Sequence, residues 1–218
     1  MTTKTDTLSV PVGATPDGET LTVDLRRNHA VLLAGTAGSG KTVLLRRMRH
    51  ALERQLAATH LFHAEGIRPN ASDVITAAHA ELRHRLRQPS RIADGPAVLF
   101  VDDYGVLCIG RDRADELVRA VEEIAVKGRA AGVHLVLATQ GIEGLSGALL
   151  TQMSTRIVLG HLVSPISRIF PSGERELIEA AAGIRAHDRG DGVLVDVDGQ
   201  PTRFTALPCE SRAFNSID

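Results

Sequence analysis

The chain has 218 residues, 43% hydrophobic and 23% charged, which excludes a largely disordered, collagen-like or coiled-coil chain and leaves enough for a well-cored domain. Lys and Arg total 25 against 26 Asp and Glu, a net charge of −1, and aromatics are 3% with no Trp, so a dedicated basic nucleic-acid binder with base-stacking platforms is excluded and any polyanion contact needs a local patch or oligomerisation. The polar start Met1–Thr7, the lack of an apolar run of roughly 18–20 residues, and two cysteines, Cys108 and Cys209, outside any C-x-x-C pair argue for a reducing, cytoplasmic setting without membrane insertion, disulfide framework or zinc site.

Residues 1–9 are expected to form a flexible tail, 10–208 one domain and 209–218 a second tail. Short strands are expected at Leu8–Val12 and Glu19–Leu25, joined by a turn at Thr15–Gly18 whose proline presets φ and whose glycine accepts a positive φ. Ala30–Ala34 is an unbroken apolar run, the pattern of a strand buried on both faces of a parallel sheet. Helical spacing over Thr42–Gln55 puts Val43, Leu44, Met48 and Leu52 on a core face, with arginines opposite. Thr59–His63 is expected as the next strand. Ser72 is expected to cap a helix running to Gln88, with Ile75, Ala78, Leu82 and Leu86 inward and Pro89 as its stop.

Ala97–Val101 is a second buried strand. Asp112 is expected to cap the following helix, with Asp115 in an acidic first turn and Leu117, Val118, Val121, Ile124 and Ala125 on its core face. Val133–Ala138 and Arg156–Leu159 follow as strands and Glu174–Ala182 as a helix. Gly192–Val197 and Thr202–Leu207 alternate in polarity, and the Asp198-Gly199 between them is a hairpin signal. Alternating strands and helices give an α/β fold with a mainly parallel twisted sheet flanked by helices and a C-terminal β-hairpin.

The strongest chemical signal is Gly35-Thr36-Ala37-Gly38-Ser39-Gly40-Lys41-Thr42, which satisfies G-x-x-x-x-G-K-[ST] between a strand and a helix. The glycines let successive backbone N–H groups converge on one anion, and the helix start adds its positive end. Lys41 supplies a mobile charge for the β- and γ-phosphates, and Thr42 offers a hydroxyl to Mg²⁺, so ATP and Mg²⁺ are the expected cofactors. The second signal is Leu99-Phe100-Val101-Asp102-Asp103, an apolar strand ending in two carboxylates. Asp102 is expected to hold Mg²⁺, and Asp103 stands where a water-activating acid is expected, one methylene shorter than Glu. The third is the strand ending Ala138-Thr139-Gln140, which brings Gln140 to the carboxyl edge as a γ-phosphate sensor or water-positioning group; a plain polar loop start is its alternative.

Together with the P-loop strand and Val101-Asp102-Asp103, the stretch Ala125–Gln140, then Ser154–Val158 and Gly190–Leu194, resembles the motor domain of the FtsK/SpoIIIE family of P-loop ATPases, over about Val10 to Leu207. The resemblance implies a RecA-like domain that forms hexameric homo-oligomeric rings and moves a polymer at the cost of ATP. That polymer is double-stranded DNA in most members and a secreted polypeptide in type VII secretion ATPases. It also implies recruitment to the membrane through a partner protein. Asp102-Asp103 replaces the usual Asp-Glu and, with Tyr104, is similar to the degenerate third module of type VII secretion ATPases. His63 sits where many members carry an Asp. Arg83, Arg85, Arg87, Arg129 and Arg156 are candidates for an arginine acting in trans, against a solvated basic face for most of them; His60 and His63 are read as structural. A DNA translocase is the first reading, a secretion module with weak or no hydrolysis the second, and a small-molecule kinase the third.

Overall fold

The structure is a computed structural model whose described residues are 8–57, 60–161, 175–185 and 188–206. Its elements are β1 (Ser9–Ala14), β2 (Thr20–Asp24), β3 (Ala30–Gly35), α1 (Lys41–Glu53), β4 (Leu61–Glu65), α2 (Ala71–Arg87), β5 (Ala97–Asp102), α3 (Tyr104–Leu107), α4 (Glu116–Ala131), β6 (Val133–Thr139), α5 (Gly147–Gln152), β7 (Thr155–Leu159), α6 (Arg175–Ala182), β8 (Asp191–Val195) and β9 (Pro201–Thr205). The fold is α/β and RecA-like, as expected.

One nine-stranded sheet runs β2-β1-β9-β8-β7-β3-β6-β5-β4. The half from β7 to β4 is parallel; the half from β2 to β7 is antiparallel and contains the expected β8–β9 hairpin. Every residue of β3, β5 and β6 is buried, which is why those strands read as unbroken apolar runs. Alternate residues of β3 serve two cores. Ala30, Leu32 and Ala34 join the cluster under α2, α4, α5 and α6, while Val31 and Leu33 join the cluster under α1. The antiparallel strands curl toward α1, so Val10 and Val12 of β1 share a core with Leu44, Leu45 and Met48.

Several helix details differ from expectation. Val43 is 48% exposed, and Leu45 takes its place on the buried face of α1. Asn70, not Ser72, precedes α2. Leu86 points outward and Arg85 is fully buried, because the C-terminal end of α2 lies over backbone carbonyls and not over apolar side chains. Asp115, not Asp112, caps α4, its carboxylate accepting from the Leu117 N–H at 2.9 Å. Asp112 instead accepts from the Ala114 N–H in the preceding turn. Pro89 ends α2 by opening a 3-10 turn over Pro89–Asp94. The core face of α4 is as expected: Leu117, Val118, Val121, Ile124 and Ala125 are all buried.

The described fold begins inside the segment expected as a tail, since Leu8 is buried and its carbonyl accepts from the Leu25 N–H. Residues 1–7 and 209–218 lie outside the described residues, as do Thr59, Glu174 and Leu207 at the ends of expected elements. Among the described residues no helix is long and apolar enough to cross a membrane.

Candidate functional site

The parallel strands end together at one edge of the sheet, in register: Ala34 with Thr139, Gly35 with Leu159, and Glu65 with Asp102. The loop from β3 to α1 lies on this edge. Gly38 and Gly40 have φ of 74° and 105°, the left-handed region in which only glycine is unstrained, and these two residues bend the chain back into α1. A Cβ on Gly35 would lie 2.4 Å from the Leu159 carbonyl oxygen and 2.7 Å from Ser39 Oγ, so only glycine fits where the loop leaves the sheet. Thr36 and Ala37 form the outer arc. Ser39 is buried, and its hydroxyl has no hydrogen-bond partner. An unpartnered buried hydroxyl inside a glycine-rich loop is what a ligand-accepting cradle leaves behind.

Lys41 opens α1 and is 4% exposed, with its ammonium donating to the Thr36 carbonyl at 2.7 Å. Burial lowers its pKa, and the Asp103 and Asp102 carboxylates pull the other way. The lysine therefore arches over the loop and faces both acids. Asp102 ends β5 almost fully buried. Burial raises its pKa; a hydrogen bond from Thr42 opposes this, and the neighbouring Asp103 charge adds to it. A buried carboxylate beside a hydroxyl is a pair of hard oxygen donors whose desolvation a divalent cation would relieve, so Thr42 and Asp102 fit Mg²⁺.

Asp103 sits just beyond the strand with φ 50°, and among the described residues it alone has a positive φ without being glycine. Asp tolerates this region better than most side chains. Its Oδ1 accepts from Gln140 Nε2 at 2.7 Å, and its backbone N–H donates to Asp102 Oδ1 at 3.0 Å. The structure thus brings Lys41, Thr42, Asp102, Asp103 and Gln140 to one place beside the Gly35–Thr42 loop.

Of the arginines, Arg85 and Arg156 are internal. Arg85 binds Glu81 and the Gly95 carbonyl, and Arg156 binds the Met153 and Leu150 carbonyls at the end of α5, which removes both as groups reaching a neighbouring subunit. Arg83, Arg87 and Arg129 are exposed. His63 is bonded through Nδ1 to Arg49 at 2.8 Å, inside the gap between α1 and β4. Burial, reinforced by Arg49, lowers its pKa.

Sequence reasoning missed Glu65. β4 runs past His63 and ends on Glu65, whose carboxylate meets Arg46 and Arg68, each at 3.2 Å. Partial burial would raise its pKa, but the hydrogen bonds from Arg68 and Arg46 outweigh that and hold it low. The signal was a strand extending two residues further, hidden because His63-Ala64-Glu65 is a weak strand sequence.

The profile of the ATPase family associated with various cellular activities (AAA) matches residues 31–161, which include every site residue above. The chain belongs to the AAA family of ATPases. This AAA domain is similar in fold to the cytoplasmic domain of the type VII secretion ATPase EccC of Thermomonospora curvata, with a TM-score of 0.72 at 21% identity, over 95% of this chain and 30% of that one. It is also similar to the pCW3 conjugation coupling protein TcpA with ATPγS, with a TM-score of 0.68 at 20% identity, over 91% of this chain and 65% of that one. A third is the genome packaging NTPase of Sulfolobus turreted icosahedral virus 2 with AMPPCP, with a TM-score of 0.61 at 15% identity, over 84% of this chain and 100% of that one. The chain spans less than half the length of the secretion ATPases it matches. No curated protein sequence matches it significantly. The EccC, EssC and TcpA likenesses agree with the FtsK/SpoIIIE resemblance.

Proposed function

We propose that this AAA domain binds ATP with Mg²⁺ in the Gly35–Thr42 loop, hydrolyses it, and uses the cycle to move double-stranded DNA through a hexameric ring of identical copies. The observation that carries the nucleotide part is the convergence of a buried Lys41, the Thr42–Asp102 oxygen pair and Gln140 on one loop. The loop amides and Lys41 would hold the β- and γ-phosphates. Thr42 and Asp102 would hold Mg²⁺, which neutralises phosphate charge when bound. Gln140 and Asp103, already joined, would meet the γ-phosphate end.

The DNA part is supported by the likeness to a conjugation coupling protein and a genome packaging NTPase. The near-neutral net charge then puts DNA binding on the assembled ring, directed to the backbone and strongly salt-dependent. A second reading, a secreted polypeptide as the polymer, is favoured by the exposure of Ile67 (74%) and Ile109 (71%) on the turns following β4 and α3, and by the likeness to EccC. Docking to a membrane-bound partner belongs to either reading.

The test is ATP turnover with Mg²⁺, with and without linear duplex DNA, beside a sizing measurement. Stimulation by duplex DNA that falls with salt supports the first reading. A formed ring that hydrolyses ATP without responding to DNA moves the reading to a polypeptide.

A further inference from the structure

β4 lies beside β5 at the end of the sheet, and their register sets Glu65 against Asp102. In-register residues on neighbouring parallel strands face the same way, with the strands about 4.8 Å apart. Phe100, two residues before Asp102, lies in the α1-side core, and Leu61, four residues before Glu65, packs against it, so Asp102 and Glu65 both face α1. Arg46 of α1 confirms this by reaching Glu65 Oε1 at 3.2 Å, and Arg68 takes Oε2 at 3.2 Å. Two guanidiniums on two different oxygens fix the carboxylate's orientation. An ionised carboxylate has about four lone-pair sites, so acceptor capacity remains on both oxygens. The Glu65 side chain is 19% exposed, so it is partly open to solvent and is not a free surface group. Gly66 locks the junction: its N–H donates to the Asp102 carbonyl at 2.9 Å, and a Cβ there would lie 2.5 Å from the Asp103 carbonyl oxygen. Asp103, the acid that stands in the usual water-handling position, is turned into a left-handed conformation with Oδ1 occupied by Gln140.

We propose that Glu65 is the catalytic carboxylate that orients the attacking water in ATP hydrolysis, with Asp103 serving to hold Gln140. This rests on the ATPase reading above. In the step, the water oxygen bonds to the γ-phosphorus, the bond from that phosphorus to the bridging oxygen breaks, and ADP departs with the electron pair. Glu65 accepts the hydrogen bond from the water, and the released proton passes through it to the phosphate product.

The experiment compares wild type, Glu65→Gln, Glu65→Asp, Asp103→Asn and the double variant Arg46→Ala/Arg68→Ala. It reads phosphate release, affinity for a non-hydrolysable ATP analogue, and retention of ADP with aluminium fluoride, which mimics the transferring group. Glu65→Gln is expected to lower turnover about 100-fold or more while leaving analogue affinity unchanged, as for loss of a positioned base. It should also abolish aluminium fluoride trapping. Glu65→Asp should recover part of the rate. The arginine double variant keeps the carboxylate and should lose less than Glu65→Gln. Wild-type turnover in Glu65→Gln, or an arginine double variant that reproduces its whole loss, overturns the proposal and makes Glu65 an ion-pair partner only. If Asp103→Asn abolishes turnover and Glu65→Gln does not, the ATPase reading stands and this one falls. A wild-type protein that binds the analogue and never releases phosphate, with or without a polymer, overturns both.

Discussion

Gln140 Nε2 donates to Asp103 Oδ1 at 2.7 Å, so the residue after β6 holds the residue after β5 across the carboxyl edge of the sheet. The two residues report on each other: a ligand that draws Gln140 away frees the carboxylate. Gln140→Ala should lower ATP turnover at least tenfold while hardly changing stability, because a hydrogen bond at an exposed position contributes about 0.5–1.5 kcal/mol at most. Phosphate release and the melting temperature, measured on the same preparation, check this. A large fall in melting temperature with normal turnover would make the pair a structural clamp.

Arg85 is predicted to act on the fold and not on a neighbouring subunit. Its guanidinium is fully buried and binds Glu81 at 2.7 Å and the Gly95, Ala131 and Gly132 carbonyls at 2.8, 3.5 and 3.4 Å. It therefore ties α2 to the end of α4 and to the turn before β5. Arg85→Ala should cost about 3 kcal/mol, since hydrogen bonds made by a charged group contribute about 1.5–3 kcal/mol each and part is regained by relaxation. Arg83→Ala and Arg87→Ala, both exposed, should stay within about 0.5 kcal/mol. Urea midpoints at constant slope give the comparison.

What the sequence disclosed, and what it did not, follows from where each signal lives. β3, β5 and β6 are buried on both faces, so their apolar runs announced them, and the loop between β3 and α1 is written in residue types with few other uses. The face of α1 differs from expectation at one residue, because the curled strand β1 adds a second wall, which takes Leu45 and leaves Val43 outside. Arg85 and Leu86 exchanged places because a hydrophobic stripe cannot signal that a helix end will rest on carbonyls. α3 and α5 are too short for periodicity to show. Glu65 became visible only when strand pairing set it beside Asp102. Pairing register is a long-range property that a local pattern does not carry.

His134 predicts an acid limb in the stability profile. Burial, with the nearby His29, pushes its pKa down from 6.5 to about 4. The folded protein therefore binds this proton less readily than the unfolded chain does. The contribution of a neutral His134 is fully present above pH 6.5 and is lost as pH falls from 6.5 toward 4, by up to about 3 kcal/mol at about 1.4 kcal/mol per unit. Denaturation midpoints measured across that window should fall steadily in wild type and less steeply in His134→Gln. Equal slopes in the two proteins would place the proton uptake elsewhere.

ATP binding and cleavage in the Gly35–Thr42 loop, with Lys41 over it and Asp102 beneath, is the proposal on which the other roles depend. The most direct test measures ATP affinity and phosphate release for wild type and Lys41→Ala together, each with Mg²⁺ and with EDTA. Wild type should bind ATP and release phosphate only with Mg²⁺. Lys41→Ala should bind about 10- to 100-fold more weakly, the equivalent of losing a charged hydrogen bond to phosphate, and should release none. Its fold should hold, because burial penalises this ammonium and offsets its attraction to Asp103 and Asp102, and its one hydrogen bond is to the Thr36 carbonyl at 2.7 Å. Unchanged ATP affinity in a folded Lys41→Ala protein would place nucleotide binding away from this loop.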